Sequence, residues 1–167
     1  MAFVCAGCPY AKPSNQPIRC ERNGSKYLLV FQAPGNDEWH GGKSTISGNR
    51  IPIDSVNSHS CAARMRNSFV RKGVLRNNYD IAEAVCCYPG KNQNGRDKKP
   101  SAKSIASCIN NMERLLRKGQ YTRIVCFGNI AYKVVSQALS AIHGNAICTW
   151  ASHPSSGVSN NILDSSY

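Results

Sequence analysis

Between residues 101 and 151, two stretches with helical spacing alternate with two short apolar runs, and that alternation leaves few folds open. In residues 101–118, Ile105, Cys108, Ile109, Met112, Leu115 and Leu116 recur at helical spacing, with Ser101 placed to cap the start and Gly119 to end it. Arg123–Phe127 reads as a strand, Asn129–Ile142 as a helix closed by Gly144, and residues 146–151 as a last strand. Upstream, residues 26–32 and 79–87 are strand-like, and Cys61–Lys72 forms a helix with Ala62, Met65 and Phe69 on one face. Strands alternating with helices pair in parallel, so the expected architecture is an α/β fold: a three-layer α/β/α sandwich on a central four-stranded parallel sheet.

With 167 residues the chain suits one domain, 1–167, and 41% hydrophobic residues are enough to give it a core. No repeat or Gly/Ser-rich linker divides it, and the short polar end, residues 158–167, reads as a frayed tail. Mean hydropathy is −0.38, and no apolar run approaches the roughly 18–20 residues that cross a bilayer. The N-terminus lacks the basic, then apolar, pattern of a signal peptide, so the expectation is a cytoplasmic protein, monomeric by default. Twenty-one Lys and Arg against nine Asp and Glu give a formal charge of +12, which calls for an anionic partner. Nucleic acid is the expected one; no strongly amphipathic basic helix supports a membrane surface.

Nine cysteines in a chain of this kind read as metal ligands or buried small apolar residues rather than as a disulfide framework. Cys5 and Cys8 form a CxxC whose two thiolates reach one metal centre, without distinguishing zinc from iron–sulfur. Cys87 and Cys108 are the nominated completing pair. Cys126 and Cys148 lie in strand-like runs and read as core; Cys20, Cys61 and Cys86 stay open.

In an open parallel sheet, ligands bind beyond the carboxyl ends of the strands. That rule nominates Gln32-Ala33-Pro34-Gly35, residues 83–89, Gly128-Asn129, and His153 with Pro154, Ser155 and Ser156. It also draws in the long Gly/Asn/Ser/Pro-rich stretch from Ala33 to about Ser58, since loops of that length are commonly functional.

These segments, taken in order, resemble the uracil-DNA glycosylase superfamily, and in particular its iron–sulfur (family 4-like) branch. The matching residues are Cys5-Ala-Gly-Cys8, Phe31-Gln-Ala-Pro-Gly35 followed by Asp37-Glu38, Cys87-Tyr-Pro89, Cys108 on its helix, Phe127-Gly-Asn-Ile-Ala131 and His153-Pro-Ser155. They stay in register from residue 5 to about 156. The resemblance implies a four-iron–four-sulfur cluster on Cys5, Cys8, Cys87 and Cys108, with the CxxC segment packed on it. Cys86 stands as an alternative to Cys87, and zinc as the alternative metal. It also implies base excision. A base inside a duplex must be extruded before chemistry, and cleavage leaves negative charge on the departing pyrimidine. A neutral imidazole or an N–H aimed at its O2 stabilises that charge; His153 is the candidate. Ser155 and Ser156 would hold a backbone phosphate. His40, His59 and His143 read as structural, with His40 the one of the three expected near the pocket.

Three departures from the family pattern fall on the pocket. Gln32 stands where the family has Glu in Gly-Glu-Ala-Pro-Gly; it can orient a water or a sugar oxygen but not serve as a general base, which leaves Asp37, Glu38 or Glu83 for an acidic role, or a reaction that relies on leaving-group stabilisation. No aromatic stands at Ser44-Thr45, where the family stacks the pyrimidine on Phe, so Trp39 is the candidate stacking residue and the pocket is expected to be wider. The family's base-reading Asn falls on Glu83. An ionised carboxylate only accepts hydrogen bonds, which disfavours uracil O4 and suits the N4 amine of a cytosine-type base. Plain cytosine is genomic, so a hydroxymethylated or glucosylated cytosine, as in some phage genomes, is the expected target. Uracil repair is the alternative. A catalytically silent iron–sulfur DNA-binding module and a zinc-stabilised nucleic-acid-binding protein are readings of other classes. Basic residues at 43, 50, 64, 66, 71, 72, 96, 98, 99 and 103 are candidate phosphate contacts.

Overall fold

The computed structural model describes residues 5, 7–11, 16–40, 52–53, 59–155 and 157–167. Ser156, the Ser44-Thr45 position and the basic residues Lys43 and Arg50 lie outside the described residues.

Four strands, β1 (Tyr27–Phe31), β2 (Asp80–Glu83), β3 (Arg123–Phe127) and β4 (Ile147–Ala151), form one sheet in the order β2-β1-β3-β4. Every pair is parallel: Leu29 faces Ile81, Leu29 faces Val125, and Val125 faces Thr149. The expected four-stranded parallel sheet is therefore present. Strand β2 is shorter than the apolar run through Cys87 suggested. After Glu83 the chain keeps two more backbone bonds to the end of β1, from Ala84 N to Phe31 O (2.7 Å) and from Val85 N to Gln32 O (3.1 Å), and then turns away.

Helices cover both faces. On one side lie α3 (Ala102–Gly119) and α4 (Asn129–Ile142), whose Met112, Leu116, Ala131, Val134, Val135 and Ala138 pack on Leu28, Val30, Ala82, Ile124 and Cys126. On the other lie α2 (Cys61–Lys72) and α5 (Asn160–Ser165), whose Ala62, Met65, Phe69 and Leu163 pack on Leu29, Phe31, Ile81, Val125 and Phe127. Strand alternation sends successive side chains to opposite faces, so Leu28 and Val30 serve one layer, Leu29 and Phe31 the other. Cys126 is fully buried with Sγ 3.6 Å from that of half-buried Cys148 on the adjacent strand.

The helix ends follow local chemistry. Ser60 Oγ accepts from Ala63 N at the start of α2, and Ser101 Oγ accepts from Ser104 N at the start of α3. The stops of α3 and α4 differ from the sequence expectation. Gly119 is still helical and Gln120 takes the left-handed cap (φ 48°), while His143 (φ 51°), not Gly144, closes α4. In each case the cap N–H bonds a carbonyl of the last turn.

Residues 158–167, expected to fray, instead carry α5. Ser159 caps it, Leu163 is fully buried, and Arg71 makes a two-point ion pair to Asp164 (2.7 and 2.8 Å). Tyr167 sets its ring against Phe69, Tyr79 and Phe127. Two apolar anchors on a polar stretch outweigh its composition.

The chain leaves β1 toward the α2 face and leaves β3 toward the α4 face. The connections therefore diverge between these two central strands and open a crevice at their carboxyl ends.

Candidate active site

That crevice is occupied by a cavity of about 710 Å³. Gln32, Ala33, Pro34 and Gly35 reach it from the end of β1, Glu83 from the end of β2, and His153 and Ser155 from the segment after β4. Asp37 and Glu38 enter from α1 (Asn36–His40), a short helix that composition alone did not suggest. Phe31 floors the cavity and stacks on Phe127 of the neighbouring strand, ring centroids 4.7 Å apart and planes 7° apart.

Gly35 starts α1: its O accepts from Trp39 N (3.0 Å) and its N–H donates to Glu38 Oε2. A Cβ at Gly35 would meet Glu38 Oε2 and Asp97 Oδ2 at 3.1 Å each, so two acidic side chains close over bare backbone here. Gly128 has φ 92°, which only glycine adopts readily, and a Cβ there would stand 3.5 Å from the Cβ of His153.

Glu83 is 3% exposed. Its Oε2 has no hydrogen-bond partner among the described residues, while the Ile53 backbone N–H supports the carboxylate form. Burial, and then the charge of Glu38, push its carboxyl well above the usual carboxylate range. From sequence, Glu83 is expected to be an ionised, accept-only group. Its position favours the neutral acid, which donates as well as accepts. Burial likewise lowers the His153 pKa below its ordinary value, favouring the neutral imidazole. Ser155 N donates to His153 O (2.7 Å), tying the His-Pro-Ser turn together.

Cys61, open in the sequence reading, lies in the cavity wall with its Sγ 3.7 Å from His153 Nδ1. Burial, then the charge of Glu38, push its thiol up to about 12. No spacing pattern links residues 61 and 153, so sequence offered no sign of the pair.

The polar loop after β2 forms one wall. It is a hairpin, with Lys98 N bonded to Gly90 O and Asn92 N to Arg96 O (2.8 Å each). Asp97 anchors it to the start of α1, accepting from Tyr88 Oη (2.6 Å) and Asn36 N (3.3 Å). Lys91, Arg96 and Lys98 thereby border the cavity. Other basic candidates are engaged elsewhere: Arg64 bonds Val158 O, Arg71 pairs with Asp164, and Lys72 bonds Tyr167 O.

Two nominated residues stand apart from the cavity lining. Trp39 is 8% exposed and packs with Ile18 and Cys87. Asn129 Oδ1 accepts from Trp150 Nε1 (2.9 Å). Contrary to expectation, His59 rather than His40 lines the cavity; His40 sets its ring edge-on to Tyr88, and His143 caps α4.

The cysteines nominated for metal form a looser group. Cys8 N donates to Cys5 O (3.1 Å) in one turn, and Cys5 lies within electrostatic range of both Cys8 and Cys108. Cys86 hydrogen-bonds Cys108, holding the Cys108 thiol down to about 7. Cys86 and Cys108 also line a cavity of about 260 Å³ beside α3. Among the described residues no three Cys, His or carboxylate groups converge tightly enough to hold a single ion. A four-iron cube spreads its thiolates more widely than one tetrahedral ion does, and this donor set is of thiols alone.

An open parallel sheet with its cavity at the switch between β1 and β3 is an α/β protein of the ligand-binding, doubly wound kind. The family model of the Uracil DNA glycosylase superfamily matches residues 18–165, and the chain belongs to that superfamily. Membership implies a DNA glycosylase, a hydrolase with DNA as its substrate. No curated protein matches the chain. Among the described residues no helix is long and apolar enough to cross a membrane.

Proposed function

We propose that the chain is a monofunctional DNA glycosylase that hydrolyses the N-glycosidic bond of a flipped pyrimidine, leaving an abasic site. The observation that carries this reading is the shared cavity of Gln32–Gly35, Glu83 and His153 beneath a basic hairpin. The hairpin cations take the DNA backbone, with Ser155 and Ser156 on a phosphate, and the extruded base enters the cavity. As the C1′–N1 bond breaks, its electron pair goes to the base. The neutral His153 donates an N–H toward O2, where the charge gathers. Gln32 orients the water that adds to C1′, and that water's proton passes to solvent. Phe31, already stacked on Phe127 in the floor, gives the pocket an apolar base. Trp39 and Asn129 support the walls from behind.

Glu83 reads the base. As a neutral acid it donates to N3 and accepts from the N4 amine of a cytosine-type base, and the roomy cavity suits a hydroxymethyl or glucosyl substituent. Such a target would make the protein a defence against modified phage DNA. The same neutral acid also matches uracil, donating to O4 and accepting from N3–H, so the buried Glu83 favours uracil repair as the second reading. We further propose a four-iron–four-sulfur cluster on Cys5, Cys8, Cys108 and, from its contact with Cys108, Cys86 in preference to Cys87. When bound, it would tie the N-terminal turn to α3 in a protein acting as a monomer. Zinc is the alternative occupant.

The test is abasic-site formation on matched duplexes holding uracil, cytosine, hydroxymethylcytosine or glucosylated cytosine. Cleavage confined to modified cytosine supports the first target, cleavage of uracil the second. Binding without cleavage on all four would leave a silent DNA-binding module.

A further inference from the structure

We propose that Cys61 is a positioning residue for His153: its thiol donates to Nδ1 and fixes the imidazole tautomer that carries its proton on Nε2. The contact is direct, Sγ to Nδ1 at 3.7 Å, within the reach of a sulfur hydrogen bond, and both side chains line the same cavity.

Each partner is held from behind. Cys61 is the first residue of α2, which is capped by Ser60 and pinned to the core by Ala62, Met65 and Phe69. His153 follows β4, rests against Gly128, and is turned by the bond from Ser155 N to its own carbonyl. The direction of the bond follows from the surroundings. Burial, and then the charge of Glu38, keep Cys61 a thiol, a donor and not a thiolate nucleophile. Burial keeps the imidazole neutral, so one ring nitrogen accepts and the other carries the proton. With S–H donating to Nδ1, the proton sits on Nε2.

Under the glycosylase reading, on which only this last step rests, Nε2–H is the group aimed at O2 of the departing base. A ring free to take the other tautomer would present a lone pair to that oxygen and repel it. A protonated ring is not needed, and among the described residues none supplies a carboxylate to Nδ1 in the manner of a hydrolytic triad.

The test uses the full chain labelled with ¹⁵N-histidine and observed by long-range ¹H–¹⁵N correlation near neutral pH, with His153→Gln assigning the resonances. The expected wild-type signature for His153 is a protonated Nε2 and an unprotonated Nδ1. Cys61→Ala is expected to shift it toward the other tautomer, and Cys61→Ser, which keeps a donor, to restore it. In parallel, kcat should fall about tenfold in Cys61→Ala, the worth of one hydrogen bond, with KM for the oligonucleotide unchanged and recovery in Cys61→Ser. A wild-type His153 protonated on Nδ1, or a Cys61→Ala spectrum identical to wild type, overturns the proposal. An Nδ1-protonated wild type overturns the proposal even if the alanine variant does not fold. If the tautomer shifts as expected but no DNA is cleaved, the positioning role stands and the glycosylase reading fails. If wild type and Cys61→Ala cleave alike with unchanged spectra, the reverse holds.

Discussion

His153 gathers its properties from several parts of the chain. The motif His-Pro-Ser places it after a strand, but burial makes it neutral and α2 gives it a neighbour. Its lowered pKa has a definite sign. The folded state binds its proton less readily than the unfolded chain, whose imidazole titrates near 6.5. The stability this group contributes is therefore complete above that value and is lost as pH falls through the folded pKa. Activity should follow the neutral form: kcat/KM stays flat as pH falls through about 6.5 and drops only at more acid values. A pH–rate profile with its acid limb above 6.5 would contradict this. His153→Ala, which removes the donor altogether, should lower kcat by about 10²–10³-fold, the usual cost of one oxyanion donor, measured by single-turnover cleavage. Of this residue's chemistry, the sequence carried the identity and the strand-end position. It did not carry the protonation state, which depends on what covers the ring.

At the scale of elements, α2, α3, β3 and α4 were legible because periodicity and apolar runs agreed within each segment. The short elements were not. Helix α1 spans five residues, too few for a period, and owes its start to the tie between Gly35 and Glu38. Helix α5 lies in polar sequence and is held by Leu163 and Tyr167. Leu163 is fully buried against the sheet face that carries Phe31, so Leu163→Ala should cost about 3 kcal/mol, within the range for buried leucine truncations. Denaturant unfolding would measure it; a loss under about 0.5 kcal/mol, the size of ordinary surface substitutions, would show that the helix merely lies on the surface.

For the whole molecule, the formal charge of +12 announced an anionic partner without saying where it would lie. The fold assigns part of it: Arg64, Arg71 and Lys72 are spent on contacts with residues 158–167, whereas Lys91, Arg96 and Lys98 border the cavity. DNA binding should therefore weaken steeply with salt. Each of these three replaced by alanine should flatten log K against log salt by about 0.9 if it contacts a phosphate, while Arg71→Ala should leave the slope unchanged. Fluorescence anisotropy titrations at several salt concentrations would read this, and equal slopes for all variants would remove the hairpin from the interface. The sequence by itself determined the parallel α/β sheet, the strand ends that meet at the crevice, and the superfamily motifs, because these depend on local periodicity and on residues adjacent in the chain. Only the tertiary structure decided that Glu83 and Glu38 share a buried wall, that Cys61 meets His153, and that Cys86 faces Cys108. Those pairings arise from segments far apart in sequence, brought together by packing on the two faces of the sheet, and no periodicity records them.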